Sequence, residues 1–401
     1  MKILYITAKI PWSKEESFIL DELKEIKNQK NDLLIIPRNP EKKIFHKNAK
    51  NLEESGIYLP LMNWKIFILS LKEIIIDKNC QRIFIKIIKK SRSFQIKIKN
   101  IAVFPKAIYI AKKYCQKIEH IHAHWGSTPS TMAYIVSQIT QIPWSLTLHR
   151  WDIKENNLLK EKIESAKFVR CISKHGKNEL IQIIGNKYLK KVYVIYLGIE
   201  TERQNDHEIK NSDHFENNTF NIITPAHFLE VKGHKYLIKA CSLLIKSGFK
   251  NFHCYFYGSG PLKNILKKTI TKYSLDNFIS TKKTIPQEKL LNKYKNKEID
   301  LIVVPSINTK DGQHEGIPVS LMEAMAYKIP AISTNTGGIP ELLSNDSGII
   351  VQEKNSRELA RAIKSFIQDK NLYLKISETG YLKVLEKFNI EKNTKRLLDL
   401  F

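Results

Sequence analysis

The sequence predicts an α/β protein made of two doubly wound domains. Three features carry that expectation: short apolar runs alternate with longer helical stretches, the alternation restarts after a polar stretch near the middle, and strand-like runs end in polar, aromatic or glycine-containing turns. A chain of 401 residues, 42% hydrophobic, is long enough for two domains of ordinary size, each with its own core.

Residues 3–7 read as a buried first strand rather than a leader peptide, since Pro11 and a charged run follow at once. A helix over about 16–27, a strand at 33–37, a basic segment and a strand at 118–122 come next. Strands at 145–148, 168–172 and 192–196 complete a first domain over 1–200. Residues 201–218 are polar with almost no apolar side chain, which predicts an exposed linker or insertion. The second domain, 219–384, opens with a strand at 220–224. It continues with a helix at 235–246, a strand at 252–257, helices at 262–273 and 287–294, a strand at 300–304 and a helix at 357–369.

The formal charge of +26 has two readings. Lys, Ile and Asn are abundant throughout, as a biased genome would produce. The distribution also favours an anionic partner: from Lys78 through Ile118 there are twelve Lys or Arg and no acidic residue. There Ile83, Phe84, Ile87 and Ile88 share one helical face, as in an interfacial amphipathic helix, while residues 94–99 alternate with period two and leave a strand open. Such a patch could hold the protein peripherally on an anionic inner-membrane surface, at roughly 1 kcal/mol per basic residue. No recognition helix, aromatic platform or RNA-binding signature accompanies it, so charge alone supports no specific nucleic-acid binding. The best apolar run, 66–76, is interrupted by Lys72 and Glu73 and is too short to span a bilayer. Five scattered cysteines without a CxxC pair argue against a zinc site or a disulfide framework and fit a reducing, cytoplasmic compartment.

The segment from Glu315 to Ala326 is the most informative. Gly316 and Pro318 are turn and first-turn residues, and Leu321, Met322, Ala324 and Met325 follow helical spacing, so a helix should begin near Pro318. Glu315 then precedes the helix and Glu323 lies inside it, eight positions on. A helix N-terminus offers unpaired amides and a positive dipole end to a diphosphate, while Glu323 could accept bonds from two ribose hydroxyls.

This segment, the strand at 301–304, Asp311-Gly312, the 329–334 run, Thr336-Gly337-Gly338-Ile339-Pro340-Glu341 and Ser347-Gly348 stand in the order of the retaining glycosyltransferases of family 4 (glycosyl transferases group 1). The chain resembles members that assemble bacterial polysaccharide or lipopolysaccharide. The resemblance implies the GT-B architecture, two Rossmann-like domains facing across a cleft, with a C-terminal helix at about 385–401 packing back on the first. It implies retaining transfer of a sugar from a nucleotide-diphosphate sugar, UDP or GDP, to a cell-surface glycan or lipid-linked acceptor, without cofactor or metal.

Residue by residue, the resemblance assigns His227, Lys232, Gly258, Glu315, Gly316, Ile317, Pro318 and Glu323 to the donor. Lys232 would neutralise the leaving diphosphate, Glu315 would bond the sugar hydroxyls, and His124 would reach the reaction centre. His227 stands where the family commonly has Arg, which weakens that phosphate contact or makes it pH-dependent. Ser17, His149, Arg150 and Asp152 are acceptor-site candidates near carboxyl ends of strands. His120, His122 and His124 alternate as a metal site would. The family stabilises its diphosphate with protein groups, so no metal is expected, His122 is read as internal support, and His120 as surface. The loop after the first strand lacks the paired glycines of many relatives, and residues 280–286 lack the glycine near the base. Two other readings stay open: a fold that has lost catalysis and binds anionic membrane or nucleic acid, and a nucleotide-sugar epimerase.

Overall fold

A computed structural model of the protein describes residues 1–13, 16–44, 46–61, 63–201 and 219–401. The chain divides into two compact units, residues 1–198 with 390–401, and residues 199–389. The stretch read as a linker lies, from residue 202 to 218, outside the described residues.

Unit 1 contains strands β1 (Lys2–Thr7), β2 (Asp32–Pro37), β3 (His120–His124), β4 (Trp144–Leu148), β5 (Phe168–Cys171) and β6 (Val192–Val194). They form a parallel sheet ordered β2-β1-β3-β4-β5-β6. A parallel sheet is covered on both faces, which is why Ile3, Leu4, Tyr5 and Ile6 are all 0% exposed. The helices are α1 (Ser17–Asn28), α2 (Trp64–Ile76), α3 (Lys78–Lys90), α4 (Phe94–Lys113), α5 (Thr128–Thr140), α6 (Arg150–Glu155), α7 (Leu159–Ser165) and α8 (Lys174–Ile184).

The basic segment is helical, which closes the choice left open at residues 94–99. Asp77 caps α3, its carboxylate accepting from the amides of Asn79 (2.8 Å) and Cys80 (3.3 Å), and Ser93 caps α4 through the amide of Ile96 (3.2 Å). The α3 face read as a membrane stripe turns inward instead. Ile83 and Ile87 are buried in the unit 1 core, and Phe84 meets Phe104 edge-on at 5.0 Å. The reason is α4, against which both α2 and α3 pack, so this apolar face finds protein. Lys106 on α4 is also buried. Its Nζ donates to the carbonyls of Pro37 (2.6 Å), Arg38 (2.9 Å) and Leu59, three acceptors for three ammonium protons, while burial pushes its pKa down to about 7.

Unit 2 repeats the architecture with β7 (Phe220–Pro225), β8 (Phe252–Tyr257), β9 (Ile279–Lys282), β10 (Leu301–Val304), β11 (Ala331–Thr334) and β12 (Ile349–Val351), ordered β12-β11-β10-β7-β8-β9 and parallel. Its helices are α9 (His234–Lys246), α10 (Lys263–Lys272), α11 (Gln287–Lys295), α12 (Val319–Ala326), α13 (Ile339–Leu343), α14 (Ser356–Gln368) and α15 (Lys370–Lys387).

The C-terminal boundary differs from the sequence expectation. Residues 385–387 end α15 and 388–389 follow it within unit 2, where that helix packs on α12, α13 and α14. Only α16 (Ile390–Leu398) and the residues after it join unit 1. There α16 packs on α1, and Leu397 clusters with Phe168 and Ile195.

In each sheet the strand order reverses once, between β1 and β3 in unit 1 and between β7 and β10 in unit 2. Loops leaving neighbouring strands in opposite directions open a crevice at such a point, where doubly wound sheets bind ligands.

Candidate functional site

In unit 2 the loops after β7 and β10 meet at the reversal. Lys232 ends a short 3-10 turn after β7, and its Nζ lies 2.5 Å from Oε2 of Glu315, in the loop after β10. Glu315 is 9% exposed, so the carboxylate is held by its cation rather than by bulk water. Two glycines permit this approach. Gly233 has φ +64°, and a Cβ there would lie 1.8 Å from the carbonyl oxygen of Pro305; Gly337 has φ +53°, and its Cβ would lie 1.8 Å from that of Glu315. The sequence reading gave Lys232 and Glu315 separate ligand groups, and the structure adds that they touch each other.

Helix α12 starts directly after Pro318, with no side-chain cap and no acidic residue in its first turn, so its positive end is unopposed. Ile317 and Pro318 are buried and fix the approach, while a Cβ on Gly316 would meet nothing within 4 Å. Glu323, on α12 and 8% exposed, accepts a bond from Gln287 Nε2 (2.6 Å). Gln287 begins α11 and had no sequence signal, because its partner lies 36 residues on. Gly258 follows β8, and a Cβ there would sit 2.1 Å from the Ala226 carbonyl oxygen; its absence lets the two backbones approach. His227 is exposed beside buried Phe228.

Unit 1 gathers a second set of groups at its own reversal. His124 ends β3 and is 0% exposed, with Nδ1 2.8 Å from the Tyr5 hydroxyl and Nε2 2.9 Å from Nε2 of His149. Tyr5 donates its one proton to Glu22 (2.5 Å), and Arg170 pairs with the same carboxylate. Proton inventory then orders the chain: His124 Nδ1–H donates to the tyrosine oxygen, and His149 Nε2–H donates to His124 Nε2. Burial pushes the pKa of both imidazoles down, only partly offset by Glu22, which keeps them neutral as this pattern requires. Burial alone would raise the Glu22 carboxyl. Arg170, the nearby His124 ring (Nδ1 3.5 Å away) and the bond from Tyr5 outweigh it and hold that pKa well below the usual range. Glu22, Tyr5 and Arg170 were not singled out from the sequence.

His120 is a correction: expected at the surface, it is 0% exposed. Strand β3 lies between β1 and β4, and hydroxyls of β4 accommodate the rings, with Ser145 Oγ 2.7 Å from His120 and 2.8 Å from His122, and Thr147 Oγ1 2.9 Å from His122. Phe401 stacks on His120 at 4.3 Å.

Of the acceptor candidates, Asp152 is 2% exposed, and its carboxylate accepts from the amides of Ser127 (3.0 Å) and His149 (2.8 Å), with burial raising its pKa to about 6. It braces the loop after β3. Arg150 lies over the Trp151 ring at 4.8 Å, and Ser17 opens α1, whose next residue, Phe18, packs against the rings of His124 and His149. Trp151 is 45% exposed. It borders a cavity of about 580 Å³ at the unit 1 reversal, lined also by Arg38, Lys99, Trp125, Asp152 and Lys154. Arg38 Nε and Trp125 Nε1, on two of the lining residues, are buried without a protein partner among the described residues.

The same loop is held from below by Lys162, 0% exposed, whose Nζ donates to the carbonyls of Gly126 (2.8 Å) and Ser127 (2.9 Å). Replacing it with methionine should cost about 1–3 kcal/mol by leaving two carbonyls unpaired, measurable by urea unfolding. Burial pushes this ammonium down to about 7. Its cost in the folded state is therefore full below that pH and relieved as pH climbs toward the ordinary lysine value of 10.5, so the methionine variant should lose most relative to the parent in alkaline buffer.

Comparison with known proteins places these features. The sequence profile of the glycosyl transferases group 1 matches residues 205–383. AmsK of Erwinia amylovora, an amylovoran biosynthesis glycosyltransferase, is 32% identical over 204 residues, 50% of this chain and 48% of that protein. WcaL of Escherichia coli K12, whose name assigns it to colanic acid biosynthesis as a glycosyltransferase, is 34% identical over 180 residues, 45% of this chain and 43% of that protein. The chain thus spans about half the length of these curated relatives. Among solved structures, Anabaena Alr3699/HepE in complex with UDP superposes with a TM-score of 0.72 at 16% identity, covering 100% of this chain and 99% of that one. The chain has the GT-B fold, and the match to the glycosyl transferases group 1 profile lies in its second half.

Proposed function

We propose that the protein is a retaining glycosyltransferase of family 4 that moves a sugar from a nucleoside-diphosphate sugar to a cell-surface glycan or lipid-linked acceptor. The observation that carries this reading is the Lys232–Glu315 pair at the unit 2 reversal, next to an uncapped helix N-terminus and followed by Glu323. A cation and free amides suit a diphosphate whose charge grows as the glycosidic bond breaks. Glu315, poised by Lys232, bonds the sugar hydroxyls, and Glu323 with Gln287 takes the ribose. In unit 1 the cavity beside Trp125 and Trp151 is assigned to the acceptor; His124, expected at the reaction centre, is 0% exposed with both ring nitrogens bonded inside the fold, so its part is to support the loop after β3 from within. Retention and independence of metal rest on the family resemblance. The names of AmsK and WcaL support a role in polysaccharide assembly, and HepE, solved with UDP and with UDP-glucose, supports a uridine donor.

The test is a thermal-shift panel of UDP, GDP, ADP and their sugar conjugates, run beside Glu323→Ala. One base at about a hundred times its dissociation constant should stabilise the parent by about 2.7 kcal/mol. That shift should shrink in the variant. No response to any nucleotide would favour a protein that has kept the fold without the chemistry.

A further inference from the structure

We infer that the outer face of α2, with the basic surfaces of α3 and the start of α4, docks on an anionic lipid bilayer. This goes beyond the sugar-transfer reading and does not depend on it. Helix α2 buries Ile66 and Ser70 against the fold, and Ser70 Oγ reaches the Pro105 carbonyl at 2.6 Å, so its inner face is settled. Its outer face should then be polar. Instead Trp64 (69%), Phe67 (58%), Ile68 (57%), Leu71 (47%), Ile75 (67%) and Ile76 (67%) stand exposed, one or two per turn along its whole length. Phe94 (75%) and Ile98 (50%) add to the apolar surface on α4. An apolar stripe of this extent on a soluble surface marks an interaction site.

Charge identifies the occupant. Lys65 and Lys72 flank the stripe on α2, and Arg82, Lys86, Lys89, Lys90 and Arg92 are exposed on α3 and just after it. The two acidic residues of this region, Glu73 and Asp77, face Lys112 at 2.9 and 3.9 Å. No acid follows until Glu119. A second copy of the chain seated on this face would bring these cations against one another. A polyphosphate chain would leave the stripe wet. A bilayer carrying anionic headgroups answers both parts: acyl chains take the stripe, headgroups take the lysines, and Trp64 sits where an amphipathic ring prefers to be. No helix among the described residues is long and apolar enough to cross a membrane, so attachment here is by a helix lying in the interface.

The experiment is co-sedimentation of the full chain with vesicles of phosphatidylcholine, with and without phosphatidylglycerol. Binding should require the anionic lipid. Phe67→Ser combined with Leu71→Ser and Ile75→Ser should weaken it by about tenfold or more, as should Lys89→Glu with Lys90→Glu and Arg92→Glu. All six side chains are exposed, so an unchanged thermal midpoint and an unchanged nucleotide response will show that the fold and the donor site survive. Full binding by the serine variant would overturn the proposal. So would a parent chain that ignores vesicles while light scattering shows a dimer that the serine variant dissolves, or one that binds nucleic acid and no lipid.

Discussion

Replacing Lys232 with methionine should lower sugar-transfer turnover by about 10²–10³-fold, the usual loss when a group aimed at developing charge is removed. Lys232 has two tasks in the proposed mechanism. It neutralises the departing diphosphate, and through its 2.5 Å contact it holds Glu315 in one position. Methionine has similar length and no charge, so both tasks fail while the volume of the side chain is largely kept. The pair is partly buried, with side-chain exposures of 19% and 11%, and its loss should be felt in catalysis more than in folding. Release of nucleoside diphosphate, followed with the donor selected by the thermal-shift panel, gives the readout. Because the charge grows between ground state and transition state, kcat should fall further than KM rises. Lys232→Arg should recover part of the turnover, and a methionine variant of unchanged turnover would remove Lys232 from the reacting centre.

Much of unit 2 was legible because its signals are local. Gly233 follows Lys232 directly, Pro318 precedes α12, and Glu315 and Glu323 are close enough along the chain for helical geometry to place them. What could not be read is pairing over long separations. The Lys232–Glu315 bond spans 83 residues and rests on Gly233 and Gly337 each tolerating a carbonyl oxygen at 1.8 Å from where a Cβ would be. Gln287 looks like any polar residue at the start of a helix.

Unit 1 misled sequence reasoning in a consistent way, through polar residues inside the fold. The alternation of His120, His122 and His124 has the form of an exposed strand face, yet β3 is interior and the partners that make burial tolerable, Ser145 and Thr147, come from β4. Lys106 lies in the segment read as a basic patch, yet it and Lys162 each spend their ammonium on backbone carbonyls of loops leaving the sheet. Apolar residues erred the other way. The 66–76 run was weighed as a membrane span and found too short, and only the structure shows which of its side chains face water. Ile83 and Ile87, expected outside, are core, and Phe67 and Leu71 are not.

The same inside-out polarity sets the largest expected stability effect. Glu22→Gln should cost unit 1 about 3–5 kcal/mol, because it leaves the Arg170 guanidinium in the core without a counter-charge. Arg170 keeps its bonds to the carbonyls of Ile195 (2.8 Å) and Tyr196 (2.9 Å), so geometry survives and the charge is the loss. If charge is the cause, Glu22→Gln combined with Arg170→Met should recover part of the stability in urea unfolding, and strictly additive losses would contradict this account. The pH dependence follows from the depressed pKa of Glu22. Its contribution is complete above the unfolded value of about 4.5 and is lost as pH falls through the lower folded value, so parent and variant should converge in acid. The variant should also free the histidine tautomers, since the Tyr5 proton now committed to the carboxylate becomes available to His124. Turnover should therefore fall even at temperatures where Glu22→Gln remains folded, because His149, bonded to His124, stacks on Trp125 at 4.1 Å beside the proposed acceptor cavity.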